Sequence, residues 1–165
     1  MLNVGRWYAV QVRPRFERPV VRLLEEKGYQ LLLPMYRSRR RWADRVKEQE
    51  QPLFANYVFC RITAAASASI VTTYGVVRIV GAGSQPLPVD DAEVDALQAI
   101  VNSPLRVEPC DYFRVGQAAQ ITAGPLCGLK GVLVRRSSNL RFVLTLEMIN
   151  QNAAVEVDAN DLERA

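Results

Sequence analysis

Apolar residues near the start of the chain switch from strand-like to helix-like spacing. Arg6–Val12 (RWYAVQV) is rich in aromatic and β-branched residues, which predicts a strand. The next apolar positions recur on one face of a helix, and Gly28 follows where that helix should end. These helical positions are Phe16, Val20, Leu23 and Leu24. The pattern predicts a strand followed by an amphipathic helix.

Strands flank a strongly charged stretch in the middle of this first part. YQLLLPMY predicts a strand that breaks at Pro34, and NYVFCRI predicts a strand with Tyr57, Phe59 and Arg61 on one side. Between them, RSRRRWADRVKEQEQ is too charged for a core and predicts an exposed hairpin or loop.

The remainder of the first part continues to mix helices and strands. A weakly helical stretch ends at Gly75, VVRIV predicts a strand, and GAGSQPLP predicts a loop. Asp90 or Asp91 is placed to cap a further helix. This order of elements predicts an α+β fold.

The pattern changes after residue 102. NSPLRVEPCDYF contains two prolines and no periodicity, which predicts a linker. Beyond it, AAQIT, VLVRR, RFVLTLEMI, AAVEV and a short tail predict a small all-β barrel. We therefore predict a first domain at 1–102, a linker at 103–113 and a second domain at 114–165.

Charge is unevenly distributed along the chain. The whole chain carries a formal net charge of +4. Residues 1–62 contain 13 Lys and Arg against 6 Asp and Glu, a net of +7, whereas residues 103–165 contain 7 of each. A basic front part favours contact with a polyanion, and the alternative is an ordinary solvated surface.

Residue types that serve catalysis or bind metals are scarce. The chain has no histidine, and Cys60, Cys110 and Cys127 are too far apart for a metal motif. The densest carboxylate group lies at a predicted helix start, where the helix dipole favours acidic residues. It consists of Asp90, Asp91, Glu93 and Asp95. We predict no enzyme activity, no metal and no cofactor.

Nothing in the sequence predicts a membrane protein. No apolar run approaches the ~20 residues that a membrane span needs. The first residues, MLNVGRWYAV, lack the pattern of a signal peptide. We expect a cytoplasmic monomer.

Segments of both predicted domains carry a resemblance to a known family. WYAVQV, ERPVVRLLEEKGYQLLLP, PLFANYVF and TTYGVVRIVG resemble the N-terminal (NGN) domain of NusG-type transcription elongation factors. VGQAAQITAGPLCGLKGVLV is similar to the KOW motif that opens their C-terminal barrel, and LTLEMINQNAAVEV resembles specialised RfaH-like paralogs. The resemblance implies a mixed α/β sandwich joined to a small SH3-like KOW barrel.

The resemblance implies a transcription elongation and antitermination factor that suppresses pausing. The N-terminal domain of this family docks an apolar patch on the clamp helices of the largest RNA polymerase subunit. SASIVTTYG matches the region that touches the second large subunit. The implied polymerase-binding residues are Trp7, Tyr8, Phe54, Tyr57, Phe59, Ser67 and Ser69. We expect at least two of the aromatic rings at 54, 57 and 59 to be displayed outward; the alternative places all three in the core.

The resemblance also implies contact between a basic arm and upstream or non-template DNA. Arginine binds phosphate in pairs and stacks on unpaired bases, as aromatic residues do. The candidate residues are Arg13, Arg15, Arg37, Arg39, Arg40, Arg41, Trp42 and Lys47. The alternatives are that Arg37–Arg41 is only a solvated face and that Trp42 only pins a hairpin.

The KOW barrel of the family recruits a partner, either a ribosomal small-subunit protein or the termination factor Rho. In RFVLTLEMI, Val143 and Ile149 leave the second strand face partly apolar, so we expect an exposed apolar face that suits a partner; the alternative is a wholly internal role. The residues that we assign to this contact are Phe142, Val143, Leu144 and Ile149. RfaH also folds this domain as a helical hairpin held by an ion pair. Arg141 matches its arginine, but Gln51 stands at the acidic position, and Leu144 and Thr145 suit a strand. We predict a β-barrel.

A different class of function is also compatible with the KOW motif. Ribosomal proteins contain this motif, so the chain is alternatively an RNA-binding protein associated with the ribosome or translation. The two functions differ in where the positive charge should lie. Here it lies in the first domain, and the KOW part is neutral.

Overall fold

The computed structural model describes residues 5–110, 117–136, 139–146, 149–158 and 161–164. The chain divides into two compact units. The first contains the chain up to Pro34 together with Phe54–Val94, and the second contains Met35–Leu53 together with the chain from Asp95 onward.

Strands dominate the described residues, and the α+β prediction is confirmed. The strands are β1 (Arg6–Val12), β2 (Gln30–Leu32), β3 (Met35–Trp42), β4 (Arg45–Pro52), β5 (Tyr57–Ile62), β6 (Val76–Ile79), β7 (Gly81–Ala82), β8 (Gln85–Pro86), β9 (Val107–Pro109), β10 (Gln117–Ile121), β11 (Lys130–Arg136), β12 (Asn139–Leu146), β13 (Gln151–Val157) and β14 (Leu162–Arg164). The helices are α1 (Glu17–Glu26), α2 (Ser67–Val71) and α3 (Asp91–Asn102), with a 3₁₀ turn at Ala64–Ala66. No helix in this part of the chain is long and apolar enough to cross a membrane.

The first unit is organised around a four-stranded antiparallel sheet with the order β2-β5-β1-β6. Inward-facing residues of β1 and β5 alternate along each strand, as a pleated sheet requires. On one face they form a core cluster with α1 and α2. Its buried members are Val10, Val12, Val20, Leu24, Val58, Cys60, Ile62, Ile70 and Ile79. The predicted strand at 6–12 and the predicted apolar helix face therefore meet in one core.

Helix α1 is fixed at both ends by local contacts. Val20 and Leu24 of the predicted face are fully buried, and Gly28, at φ +88°, ends the helix as expected. At the start, the buried Glu17 accepts a hydrogen bond from the backbone amide of Asn56 at 2.9 Å. Asn56 has a φ of +70°, so Glu17 holds the strained turn that leads into β5.

The predicted loop at GAGSQPLP contains a very short hairpin, because β7 pairs with β8. The predicted helix near Asp90 is α3, and the Asp90 carboxylate accepts a hydrogen bond from the amide of Ala92 at 3.0 Å. Both features lie where turn or capping residues interrupt the apolar pattern.

The second unit contains the β3–β4 hairpin and a six-stranded antiparallel sheet with the order β14-β10-β11-β12-β13-β9. The all-β prediction for the C-terminal part is confirmed, and its described residues form strands rather than a helical hairpin. Gly131 of β11 is required by packing, because a Cβ there would lie 2.5 Å from the Phe142 ring. The KOW-like glycine thus lets β11 approach a core ring of β12.

Strand β9 lies in the segment that we predicted as a linker. Val107–Pro109 pairs with β13 and forms one edge of the C-terminal sheet. The sequence did not predict this strand, because three residues are too few to show alternation and the segment contains two prolines. Residues 111–113 of the predicted linker lie outside the described residues.

Candidate nucleic-acid and protein interface

The structure places most of the predicted aromatic patch in the interior of the first unit. Phe54 and Phe59 are each 1% exposed, and their rings meet edge-on with centroids 6.4 Å apart. Trp7 is 6% exposed. Because Phe54 and Phe59 are both buried, the expectation that at least two of the rings at 54, 57 and 59 are displayed outward is wrong.

The reason is that the sheet is buried on both faces. Val58, Phe59 and Cys60 follow each other along β5 and point alternately to opposite faces, yet all three are buried. In the β1–β5 register Ala9, also fully buried, lies opposite Phe59. Strands covered on both sides read as continuous apolar runs, which is what NYVFCRI is. The run was interpreted as a patch because the sequence does not show that the second face is covered.

Two tyrosines and two serines of the predicted polymerase-binding set are less enclosed. Tyr8 and Tyr57 are half-buried and lie on opposite faces of the sheet. Tyr8 and Ser67 line the same cavity, whose volume is about 270 Å³. Ser69 is half-buried, and its carbonyl accepts a hydrogen bond from Lys27 Nζ at 3.0 Å. The structure thus brings Tyr8 and Ser67 together and leaves Tyr57 apart from them.

The charged segment forms the β3–β4 hairpin, which confirms the predicted exposed hairpin. Every residue from 39 to 50 is exposed. Trp42 is 67% exposed and Val46 is 64% exposed. A two-stranded hairpin of this composition has little core of its own, so its side chains are available to a partner.

Cross-strand register divides the hairpin into two faces with different charge. Residues directly opposite each other share a face. On one face Arg37 lies opposite Glu50 and Arg39 lies opposite Glu48. Arg39 Nε is 3.3 Å from a Glu48 carboxylate oxygen. We call this face, formed by Arg37, Arg39, Arg41, Val46, Glu48 and Glu50, the paired face.

The other face has cations without carboxylates opposite them. Arg40 lies opposite Lys47, and Trp42 lies opposite Arg45. Like charges directly opposite each other are destabilising, so this arrangement does not serve the stability of the hairpin. We call this face, formed by Tyr36, Ser38, Arg40, Trp42, Arg45, Lys47, Gln49 and Gln51, the basic face. Asp44 lies in the turn, outside the register.

The paired face also borders a cavity within the second unit. The cavity has a volume of about 670 Å³ and is lined by Arg37, Arg39, Glu48 and Glu50 and, from the other side, by residues 103–107. Tyr36, at the base of the hairpin, also lines the cavity, whereas the cations and the tryptophan of the basic face, Arg40, Trp42, Arg45 and Lys47, do not. The predicted set of basic residues is thus sorted: Arg37, Arg39 and Arg41 on one face, and Arg40, Trp42 and Lys47 on the other.

A second exposed cation–aromatic cluster lies in the first unit, and it combines the predicted Arg13 with Tyr74, which sequence reasoning missed. Tyr74 is 68% exposed, and the guanidinium carbon of Arg13 lies 5.7 Å from the centroid of its ring. Phe16 also meets Tyr74 edge-on, with ring centroids 5.5 Å apart. The available signal was an aromatic residue directly before Gly75, outside any apolar periodicity. Arg15, at φ +67°, is exposed in the same turn as Arg13.

The residues predicted to recruit a partner through the C-terminal sheet are buried. The exposed fractions of Phe142, Val143, Leu144 and Ile149 are 0%, 2%, 7% and 6%. Val143 lies between Val132 and Ala154 in the sheet, and Ala154 is itself only 3% exposed. Both faces of β12 are therefore enclosed, and the expectation of an exposed apolar face there is wrong.

Arg141, the arginine that we compared with the RfaH ion pair, is engaged inside the C-terminal sheet. Its guanidinium forms an ion pair with Glu108 of β9, and Nη2 lies 3.7 Å from a carboxylate oxygen of Glu156 on β13. Both carboxylates belong to the same sheet as Arg141. This arginine therefore joins β12 to the neighbouring strand β13 and to the edge strand β9.

Titratable chemistry is limited in the described residues. Burial raises the pKa of the Cys60 thiol from 9.0 to about 12, so this thiol stays protonated at neutral pH. Within the described ranges no three His, Cys, Asp or Glu side chains come together as a metal site.

Comparison with known proteins assigns the chain to a family. Residues 5–98 match the family model described as "Transcription termination factor nusG". The chain belongs to the NusG family. It is a transcription termination or antitermination factor of that family, and the family consists of transcription factors rather than enzymes.

Individual NusG proteins align with the chain over nearly its whole length. The transcription termination/antitermination protein NusG of Escherichia coli O6:H1 is 25% identical over 178 residues, covering 97% of this chain and 96% of that protein. NusG of Yersinia pestis is 24% identical, covering 96% of each. A Thermotoga maritima NusG structure, described as "Domain interaction in Thermotoga maritima NusG", shares the fold, with a TM-score of 0.62 and 21% identity over 97% of each chain.

Proposed function

We propose that this NusG-family chain is a non-catalytic elongation and antitermination factor that binds RNA polymerase and the nucleic acid beside it. The basic face of the β3–β4 hairpin is the observation that carries the proposal. On this face Arg40 lies opposite Lys47, and the exposed Trp42 lies beside them. Because no carboxylate lies opposite these cations, a negatively charged ligand would stabilise the face. A polyanion with unpaired bases meets both the charge and the aromatic surface.

The proposed nucleic-acid ligand is the upstream or non-template DNA of the transcription bubble. Arg40, Arg45 and Lys47 would contact phosphates, and Trp42 would stack on an unpaired base. In the first unit, Arg13 and Arg15 provide further cations around the exposed ring of Tyr74. Arg37, Arg39 and Arg41 belong to the paired face and take a secondary part.

The proposed protein ligand is the clamp-helix region of the largest polymerase subunit. Tyr57 is the one ring of the PLFANYVF stretch that stays partly exposed, so it is the contact residue. Phe54, Phe59 and Trp7 support it from inside the sheet. Tyr8, Ser67 and Ser69 are assigned to the second large subunit, with Tyr8 and Ser67 at the rim of one cavity.

Binding of this kind acts by shifting a population between polymerase states. A factor that binds active and paused polymerase equally well changes neither state's share, however tight the complex. A preference of about 1.4 kcal/mol for the active state would change the ratio of the two states tenfold. The chain then needs no catalytic group of its own.

The C-terminal part is proposed to recruit a ribosomal small-subunit protein or Rho, as the KOW resemblance implies. Because Phe142, Val143, Leu144 and Ile149 are buried, their side chains would support this contact from inside the sheet rather than touch the partner. We also propose that the chain is a specialised, operon-specific member of the family, with a first domain at 1–102 and a KOW domain at 114–165.

Neighbouring arginines on opposite faces of the hairpin provide a matched test of nucleic-acid binding. Arg40→Ala removes a cation from the basic face, and Arg39→Ala removes one from the paired face. We expect Arg40→Ala to weaken binding of a single-stranded DNA oligonucleotide and to lower the salt slope by about 1, whereas Arg39→Ala has a smaller effect. Equal losses in a fluorescence anisotropy titration would show that the face assignment is wrong.

Polymerase binding is tested by Tyr57→Ala. Loss of this ring should weaken binding of core RNA polymerase by about 1–2 kcal/mol while the protein stays folded. Tyr36→Ala, in the hairpin, is the control for loss of a half-buried tyrosine elsewhere. A pull-down that recovers ribosomal RNA but no polymerase would instead support the RNA-binding alternative.

A further inference from the structure

We propose that the outer edge of β13 is a strand-pairing site for an acidic, extended segment of a partner protein, and that the chain's own β9 occupies this edge until the partner replaces it. The inference concerns the second unit alone. It is independent of the polymerase and DNA contacts proposed above, since neither ligand takes part in its test.

Strand β9 is the last strand at one end of the six-stranded sheet. Its central residue, Glu108, lies opposite Ala154 of β13. Two backbone hydrogen bonds flank this pairing, from Cys110 N to Asn152 O at 3.0 Å and from Glu156 N to Arg106 O at 3.2 Å. The β13 edge is thus filled by a segment of the same chain.

The attachment of β9 depends little on core packing. None of residues 101–110 is fully buried, whereas Ala153, Ala154 and Val155 on β13 are at most 3% exposed. Backbone hydrogen bonds, one ion pair and partly exposed contacts with β3 therefore hold β9 in place. Segments with few buried apolar contacts open at a lower free energy than the core they rest on.

The two edges that meet here differ in their capacity for pairing. Strand β13 has seven residues, and the five at 152–156 pair with residues 106–110, so β13 is longer than the segment that pairs with it. A longer extended segment would form more main-chain hydrogen bonds with β13 and so compete with β9. The outward edge of β9 is a poor template, because Pro109 has no N–H to offer there.

The charge at this edge indicates the chemistry of the partner segment. Arg141 lies beneath the edge and forms its ion pair with Glu108, while Glu156 is at 3.7 Å. Its Nε is buried and has no hydrogen-bond partner among the described residues. When β9 leaves, Arg141 loses the Glu108 carboxylate, so a replacement segment needs an acidic residue at the same position.

Hydrogen exchange within β13 tests the proposal in the full chain. By strand alternation the amides of Ala154 and Glu156 face β9, whereas those of Ala153 and Val155 face β12. Glu108→Lys places a cation against Arg141 and should accelerate exchange at Ala154 and Glu156 by about tenfold or more, with Ala153 and Val155 unchanged.

The matched control is Glu163→Lys, which makes the same charge change on β14 at the opposite edge of the sheet. It should leave all four amides unchanged. If Glu108→Lys does not yield folded protein, Glu108→Gln removes the ion pair without adding repulsion. Equal acceleration of all four amides, or of none, would overturn the proposal, because β9 would then be an integral strand.

The docking step is tested with a peptide in place of the partner. The probe has the sequence of residues 104–110 with Ser for Cys110, and it is added to the full-length Glu108→Lys variant. Binding should restore slow exchange at Ala154 and Glu156. The same peptide carrying the Glu108→Lys change should not. Failure of the acidic peptide to protect these amides at millimolar concentration would refute the site.

Discussion

Aromatic residues of β5 and of the β3–β4 hairpin occupy opposite environments. Phe59, in an apolar stretch, is 1% exposed, whereas Trp42, among charged residues, is 67% exposed. The aromatic residues of the apolar stretch on β5 therefore pack in the interior, whereas the charged hairpin carries the exposed aromatic ring. The difference shows that an aromatic residue in a charged context is the better candidate for a contact with a partner in this molecule.

The same contrast appears between the two faces of the hairpin. Arg39 has Glu48 within 3.3 Å, whereas Arg40 has only Lys47 opposite it. Composition alone counts both arginines as equal contributors to a basic patch. The register separates a cation that is already neutralised from one that is available to a ligand.

The largest effect that distinguishes the two environments is expected for Phe59→Ala. Removing a fully buried ring should lower the free energy of unfolding by about 3–5 kcal/mol, because a cavity remains in the sheet. Urea denaturation measures the loss, and the fluorescence of Trp7, which is buried in the same sheet, reports the transition. Tyr57→Ala, on the same strand and half-buried, should be less costly. Equal losses for the two variants would contradict the assignment of Phe59 to the interior.

Local patterns were sufficient to predict most elements of the fold. The helix of Val20 and Leu24 and the strand at Arg6–Val12 follow from spacing alone, because helices and strands have different periods. The KOW-like strands follow from short apolar runs between turns. Strand β9 could not be found this way, since three residues that include Pro109 carry no period.

The candidate site was less predictable, because it depends on contacts between distant segments. The run around Phe59 has the same sequence whether or not the second face of the sheet is covered. The pairing of Arg39 with Glu48 depends on a hairpin register that composition does not contain. Tyr74 could be recognised as a candidate site residue only from the fold, because the fold places Arg13 over its ring.

A smaller effect, on binding rather than stability, is expected for Trp42→Ala. The change should weaken binding of single-stranded DNA by about 1–3 kcal/mol, since one stacking surface is lost. The free energy of unfolding should change by no more than about 0.5 kcal/mol, because the ring is exposed. Fluorescence anisotropy and urea denaturation measure the two quantities.

Val46→Ala is the control for Trp42→Ala, since Val46 is 64% exposed and lies on the paired face. It should leave DNA affinity unchanged. A Trp42→Ala protein that binds DNA like the wild type would assign Trp42 to the hairpin alone, and the contrast with Phe59 would then lose its functional meaning.

The smallest effect concerns the thiol of Cys60, which lies on the opposite face of β5 from Phe59. Burial raises the pKa of Cys60 from 9.0 to about 12, so between these pH values the folded chain keeps a proton that the unfolded chain has lost. The stabilisation is complete below pH 9 and declines as pH rises towards 12, by at most about 1.4 kcal/mol per pH unit. Urea denaturation at increasing pH should show a flatter decline for Cys60→Ala than for Cys127→Ala, whose thiol is exposed. Parallel curves for the two variants would mean that Cys60 ionises as easily in the folded chain as in the unfolded one. The face of β5 that carries Cys60 would then be less enclosed than the face that carries Phe59.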